Sequence, residues 1–141
     1  MTSPTAVQAY GQVRAEGSVA DANAHRLIQM LLEGAIEKIV VAKGCMARKD
    51  IKGKGQNLSA SISIIDGLQA SLDLTKCGEI AGNLYALYDY MMQRLIQANL
   101  DDSTSILDEV GRLLGTIKNG WDGIETEANQ ILAGPNSVET K

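Results

Sequence analysis

Phenylalanine is missing from the sequence, and tyrosine and tryptophan bring the aromatic content to only 4%. Since 45% of the residues are nevertheless hydrophobic, the core must be aliphatic, a composition that suits helices. Only two prolines occur, Pro4 and Pro135, so no proline interrupts a helix between them. A chain of 141 residues is expected to form one domain.

Other absences narrow the function. The chain has no block of basic residues and a formal net charge of −4, so nucleic acid and anionic membranes are poor candidate partners. Cys45 and Cys77 are too few and too far apart for a disulfide framework or a zinc site, which favours a reducing, cytoplasmic location. The N-terminus lacks the pattern of a secretory signal. The longest strongly apolar run, residues 39–42, is far too short to span a membrane.

Residue types that carry chemistry are equally scarce. His25 is the only histidine, whereas a di-iron bundle needs two Glu-x-x-His pairs, and nothing nearby completes a nucleophile triad with it. The stretch Gly53-Lys54-Gly55 lacks the spacing of a phosphate-binding loop. Neighbouring carboxylates such as Asp101 and Asp102 fit helix capping. The sequence therefore predicts neither an enzyme nor a cofactor or metal site.

Four stretches of helical periodicity, separated by short polar turns, predict an all-α, antiparallel up-down four-helix bundle. The first helix is expected to begin after an N-cap at Asn23 and to end near Arg48. The second would begin after Asp50 and end near Ser71, and the third spans 78–100. Short connections between them imply that successive helices run antiparallel.

The fourth helix is expected to be capped by Asp101 or Asp102 and to fray after Trp121. Its four glycines could together destabilise an isolated helix by about 3–4 kcal/mol, so it should depend on tertiary contacts. The predicted organisation is an N-terminal arm (1–20), the bundle (21–126) and a flexible C-terminal tail (127–141). The arm carries apolar residues three apart, at Val7, Tyr10 and Val13, and is too short to be stable alone.

The third helix has more apolar surface than one packed face requires. One stripe is formed by Ile80, Leu84, Leu87, Met91, Leu95 and Ala98. A second lies beside it, formed by Ala81, Tyr85, Tyr88, Met92 and Ile96. Together they cover about twice the width of a single buried face, which leaves Tyr85, Tyr88 and Met92 as a spare surface. Tyr and Met suit a surface that is dry when bound and wet when free.

Two interpretations of the spare surface remain open. A stripe at helical spacing most often belongs to the core. Alternatively, it lines a groove for an amphipathic partner segment, which the apolar N-terminal arm could cover in the free protein. On the second interpretation the expected groove residues are Ile62, Ile65, Tyr85, Tyr88, Met92, Ile96, Leu114, Ile117 and Trp121.

The sequence from Tyr10 to Ile124 resembles the FliS family of flagellar export chaperones. The third helix carries the most specific signature, with Gly78-Glu79-Ile80-Ala81, Asn83-Leu84, Leu87-Tyr88-Asp89-Tyr90-Met91, Leu95 and Ala98-Asn99-Leu100. Further matches are Ala9-Tyr10 and Val13 in the arm, and Leu27-Ile28, Met30-Leu31 and Gly34-Ala35 at the start of the first helix. The end of the second helix matches at Ile64-Ile65 and Ser71-Leu72-Asp73, and the fourth helix at Glu109-Val110, Leu113-Leu114 and Trp121. The departures are Asn23-Ala24 in place of Ser-Pro, Cys77 in place of glycine, and the extra glycines Gly111 and Gly115.

This resemblance implies a cytosolic chaperone whose partner is the disordered C-terminal segment of flagellin. It also implies that the chaperone prevents premature polymerisation of flagellin and delivers it to the export gate, and it leaves room for other flagellar regulators as partners. The alternative that the residues leave open is a structural or regulatory helical protein that associates with itself through the same stripe.

Overall fold

A computed structural model describes residues 24–76, 78–124 and 131–132. Its helices are α1 (Ala24–Arg48), α2 (Ile51–Ala70), α3 (Gly78–Asp101) and α4 (Thr104–Asp122). Each helix packs on its neighbour in the chain, and α4 packs back on α1. The predicted four-helix bundle is therefore confirmed. Asn23 and the N-terminal arm lie outside the described residues. None of the described helices combines the length and the apolar character needed to cross a bilayer.

The turns at one end of the bundle are fixed by side-chain caps. Asp50 caps α2 as predicted, with its carboxylate accepting a hydrogen bond of 3.0 Å from the Gly53 amide. The predicted cap of α4 at Asp101 or Asp102 is wrong. The helix α3 continues to Asp101, and Asp102 has a positive φ of 51°, so the chain turns there. Ser103 is the cap, and its hydroxyl accepts a hydrogen bond from the Ile106 amide.

The core is aliphatic, as the composition predicts. The largest fully buried side chains come from all four helices and include Leu32, Leu58, Ile65, Leu95, Leu107 and Leu114. Cys45 is a free, buried thiol that packs as a small apolar residue, while Cys77 lies outside the described residues. His25 packs against Trp121 at the junction of α1 and α4.

Two residues beyond α4 are part of the core. Ile131 and Leu132 are only 4% and 5% exposed, and Leu132 forms an antiparallel bridge with Leu72 in the α2–α3 turn. The expectation of a flexible tail over 127–141 is therefore corrected at these two positions, because adjacent aliphatic side chains gain more from burial than from exposure to water. The other residues of that segment, 127–130 and 133–141, lie outside the described residues.

Candidate functional site

The inner face of α3 is rotated relative to the expected buried stripe. Ala81, Tyr88, Met91 and Leu95 are buried, whereas Ile80, the first residue of the expected stripe, is 53% exposed. The core therefore takes residues from both stripes, and the division of α3 into a buried face and a spare face is corrected.

Tyr88 belongs to the core. It is 3% exposed, and burial raises the pKa of its phenol far above the ordinary value. A partner could not reach this side chain without opening the bundle. Its place in the expected groove is therefore corrected, and only the side chains around it can present a surface.

The outward surface of α3 carries an apolar band that the exposed Asp89 interrupts. Tyr85, Ile96 and Leu100 are 43%, 53% and 73% exposed, and Met92 is half-buried. Spacings of seven, four and four residues place these side chains on one side of the helix. At 1.5 Å per residue the band is about 22 Å long.

The helix α2 extends this band across the neighbouring seam. The Gln69 side chain donates to the Tyr85 carbonyl at 3.0 Å, and the Lys54 ammonium donates to the Asn99 carbonyl at 3.1 Å. These contacts align α2 antiparallel to α3, with the middle of each helix opposite the other.

Gln69 marks the side of α2 that faces α3. Ile51 precedes Gln69 by five helical turns and Ile62 precedes it by about two, so both lie on the same side of α2. Ile62 is half-buried, and Ile51 is 76% exposed. We define the α2–α3 stripe as Ile51, Ile62, Tyr85, Met92, Ile96 and Leu100.

The remaining expected groove residues lie elsewhere. Ile65 and Leu114 are fully buried, and Trp121 is 5% exposed, so they support the bundle from within. Ile117 is half-buried on α4, which packs on the other side of α3. Of the expected groove residues, those that are at least partly exposed are Ile62 on α2, Tyr85, Met92 and Ile96 on α3, and Ile117 on α4.

The α2–α3 stripe contains two exposed residues that the sequence-based list does not include, Ile51 and Leu100. Leu100 follows Ile96 at the helical interval of four, so extending the periodicity by one step would have included it. Ile51 precedes Leu58 by seven residues, so extending the period of α2 back to its start would have included it as well.

Polar side chains close the opposite seam, between α3 and α4. The Tyr90 hydroxyl donates to one oxygen of the Glu109 carboxylate at 2.5 Å, and Arg94 Nε donates to the other at 3.1 Å. The hydrogen bond from Tyr90, reinforced by Arg94, lowers the pKa of Glu109. The same hydrogen bond raises the pKa of Tyr90. This seam is thus occupied by its own contacts, unlike the α2–α3 stripe.

A cleft of about 270 Å³ lies where the α1–α2 turn meets the α3–α4 turn. Lys54 lines it and is nearly buried, and its ammonium contacts Asp102 at 2.5 Å. The Lys54 ammonium in this cleft is thus already engaged in joining the two turns. Among the described residues, no three side chains of metal-binding type gather into a site.

Comparison with known proteins identifies relatives along nearly the whole chain. Residues 6–128 match the family described as Flagellar protein FliS. The chain is 48% identical over 124 residues to the flagellar secretion chaperone FliSB of Pseudomonas aeruginosa, covering 88% of this chain and 98% of that protein. It is 44% identical over 130 residues to the flagellar secretion chaperone FliS of Salmonella typhimurium, covering 92% and 96% of the two chains.

Proposed function

This chain belongs to the FliS family of flagellar secretion chaperones, and on that premise we propose that its α2–α3 stripe binds the C-terminal segment of flagellin. The family is one of chaperones and not of enzymes. The observation that carries the proposal is the stripe itself, in which Tyr85, Ile96 and Leu100 are large apolar residues left exposed beside half-buried Ile62 and Met92.

The shape of the stripe suits an amphipathic helix. A partner helix that follows its 22 Å length needs about 15 residues, with apolar side chains at intervals of three and four. Asp89 interrupts the apolar side chains one turn after Tyr85, and its carboxylate accepts a hydrogen bond from Gln93. A partner helix would therefore meet one polar position within the apolar stripe.

A disordered client segment suits a chaperone that must later release it. Burying apolar surface contributes about 25 cal/mol per Å², and much of this is offset by the ordering of the segment. Covering the segment in the cytoplasm would prevent flagellin from polymerising before it reaches the export gate. The N-terminal arm, with Val7, Tyr10 and Val13, would compete for the same stripe in the free protein.

Calorimetric titration with a flagellin C-terminal peptide tests this function. The wild-type chain should bind one peptide with a negative heat-capacity change. Ile96→Asp should weaken binding at least about tenfold, because it places a charge in a surface that binding desolvates. No binding at micromolar concentrations would reject the proposal.

The helix α3 offers a matched control. Ile80 and Ile96 are both 53% exposed, but they lie about 160° apart around the helix. Ile80→Asp should leave both the helical content and the affinity nearly unchanged. Equal losses of affinity in the two variants would mean that the α2–α3 stripe is not the binding surface.

Self-association is the second candidate, because an exposed apolar stripe can also pair with its copy in a second molecule. It predicts a dimer whose fraction rises with protein concentration and falls in Ile96→Asp. Sedimentation of the chain alone separates the two functions, since the chaperone function predicts a monomer that forms a one-to-one complex with the peptide.

A further inference from the structure

The end of the bundle at the α2–α3 turn holds a short segment of the chain itself, Ile131 and Leu132. The Asp73 amide donates to the Ile131 carbonyl at 2.9 Å, and Leu72 bridges Leu132 in antiparallel fashion. The Lys76 ammonium donates to the Leu132 carbonyl at 2.9 Å. Both aliphatic side chains join the hydrophobic core.

We call the part of the α2–α3 turn that holds this segment, Leu72, Asp73 and Lys76, the seat. The seat recognises features that many peptides share. Its hydrogen bonds go to main-chain carbonyls, which any sequence can supply, while the apolar surface selects for two adjacent aliphatic side chains. This is how an exposed strand edge captures an extended peptide. Ile131 and Leu132 show what chemistry the seat accepts.

The seat lies next to one end of the α2–α3 stripe. Tyr85 marks that end, and its carbonyl accepts the hydrogen bond from Gln69, three residues before Leu72. A peptide that follows the stripe towards Tyr85 would therefore meet the α2–α3 turn as its next contact.

We propose that Ile131 and Leu132 form a releasable clasp, whose seat takes in exchange the extended continuation of the flagellin segment bound on the stripe. This inference rests on the proposed function. The incoming segment would carry two adjacent aliphatic residues and would pair with the main chain at Leu72 and Asp73. The clasp would thus compete with the client at one end of the site.

The contacts of the clasp suit exchange. In the described residues it is attached by a single bridge, by hydrogen bonds to Asp73 and Lys76 and by its two buried side chains, whereas each helix packs on two others. Segments with few contacts open at lower free energy than the rest of a fold. If the seat is open in only a fraction of the molecules, the apparent affinity of the chaperone for the client is reduced to that fraction. Removing the clasp should therefore raise the affinity for the client.

A reversible lock gives the sharpest test in the full-length chain. Directly opposed residues of an antiparallel pair have Cα atoms about 4.5–5.5 Å apart, within the range that a disulfide spans. Leu72→Cys with Leu132→Cys, in a Cys77→Ser background, should therefore close the clasp on oxidation. The oxidised protein should bind a long flagellin C-terminal peptide about tenfold more weakly than the same protein after reduction.

The opposite variant opens the clasp. Ile131→Ser with Leu132→Ser should strengthen binding of the peptide about tenfold, while Leu74→Ser, at a 49% exposed position of the same turn, should leave it unchanged. Equal affinities of the oxidised and reduced lock, with binding intact, would overturn the clasp alone. Absence of binding to every form would overturn the proposed function, and the clasp with it.

Discussion

His25 and Trp121 hold each other by a reciprocal pair of hydrogen bonds. The His25 Nε2 donates to the Trp121 carbonyl at 2.5 Å, and the indole N–H of Trp121 donates to the His25 carbonyl at 2.9 Å. The two rings stack with centroids 5.2 Å apart. Since a carbonyl can only accept, Nε2 carries the imidazole hydrogen. This pair fastens the start of α1 to the end of α4.

Breaking the pair should destabilise the bundle measurably. His25→Ala should lower the free energy of unfolding by about 1–3 kcal/mol, because it removes a buried hydrogen bond and a stacked ring. Trp121→Phe should lower it by about 1 kcal/mol or more, since the His25 carbonyl loses its donor. Urea denaturation of both single variants and the double variant gives the coupling energy.

Gln29 provides the control for that pair. It also links α1 to α4, through a hydrogen bond to Asp122, but on the exposed surface. Gln29→Ala should change the free energy of unfolding by less than about 0.5 kcal/mol. A coupling energy near zero between His25 and Trp121 would contradict the reciprocal arrangement.

The glycines of α4 should be replaceable with a gain in stability. A Cβ added at Gly111 or Gly115 would meet no atom within 4 Å, and alanine is favoured over glycine in a helix by about 0.5–1 kcal/mol. Gly115→Ala should therefore raise the free energy of unfolding by about that amount. Thermal or urea denaturation measures the change.

Gly53 is the contrasting position in α2. A Cβ there would collide with the Asp50 carboxylate and the Cys45 Sγ, so Gly53→Ala should destabilise the protein although it also lies in a helix. If Gly53→Ala stabilised the protein as Gly115→Ala is expected to do, local helix propensity alone would decide the outcome and the contacts at Gly53 would be irrelevant.

Glu109 should contribute a pH-dependent increment of stability. Its pKa lies below the ordinary value of 4.5, owing first to the hydrogen bond from Tyr90 and then to Arg94. A lowered pKa in the folded state means that the increment is fully present above about pH 4.5 and is lost as the pH falls through the lowered value. Glu109→Gln should therefore be less stable than wild type at neutral pH, by up to about 1 kcal/mol.

The measurement is the free energy of unfolding of both proteins between pH 7 and pH 3. The difference between wild type and Glu109→Gln should shrink as the solution is acidified. Glu37→Gln, which removes a carboxylate at an exposed position of α1, serves as the control for the loss of one negative charge. A difference that grows towards low pH would contradict the sign of the pKa shift.

The sequence predicts the helices of this chain better than the orientation of their faces. Composition and periodicity suffice for four helices and for the cap at Asp50. They do not decide which flank of α3 turns inward, because two adjacent apolar stripes satisfy the same period. The orientation is set by the contacts of α3 with α2 and α4, and these bury Tyr88 while leaving Ile80 exposed.

The role of Ile131 and Leu132 was equally hidden from sequence. Two adjacent aliphatic residues in a polar segment have no period, and nothing in their spacing indicates the distant turn on which they pack. The same limit applies to Ser103, which became the cap of α4 only because α3 continues through Asp101.

The central claim is that the flagellin C-terminal segment lies on the α2–α3 stripe, and methyl NMR of isoleucine-labelled protein tests it most directly. On addition of the peptide, the Ile51, Ile62 and Ile96 methyl signals should shift and show contacts to the peptide, while the Ile80 signal stays in place. Shifts at Ile80 with an unchanged Ile96 would contradict the claim.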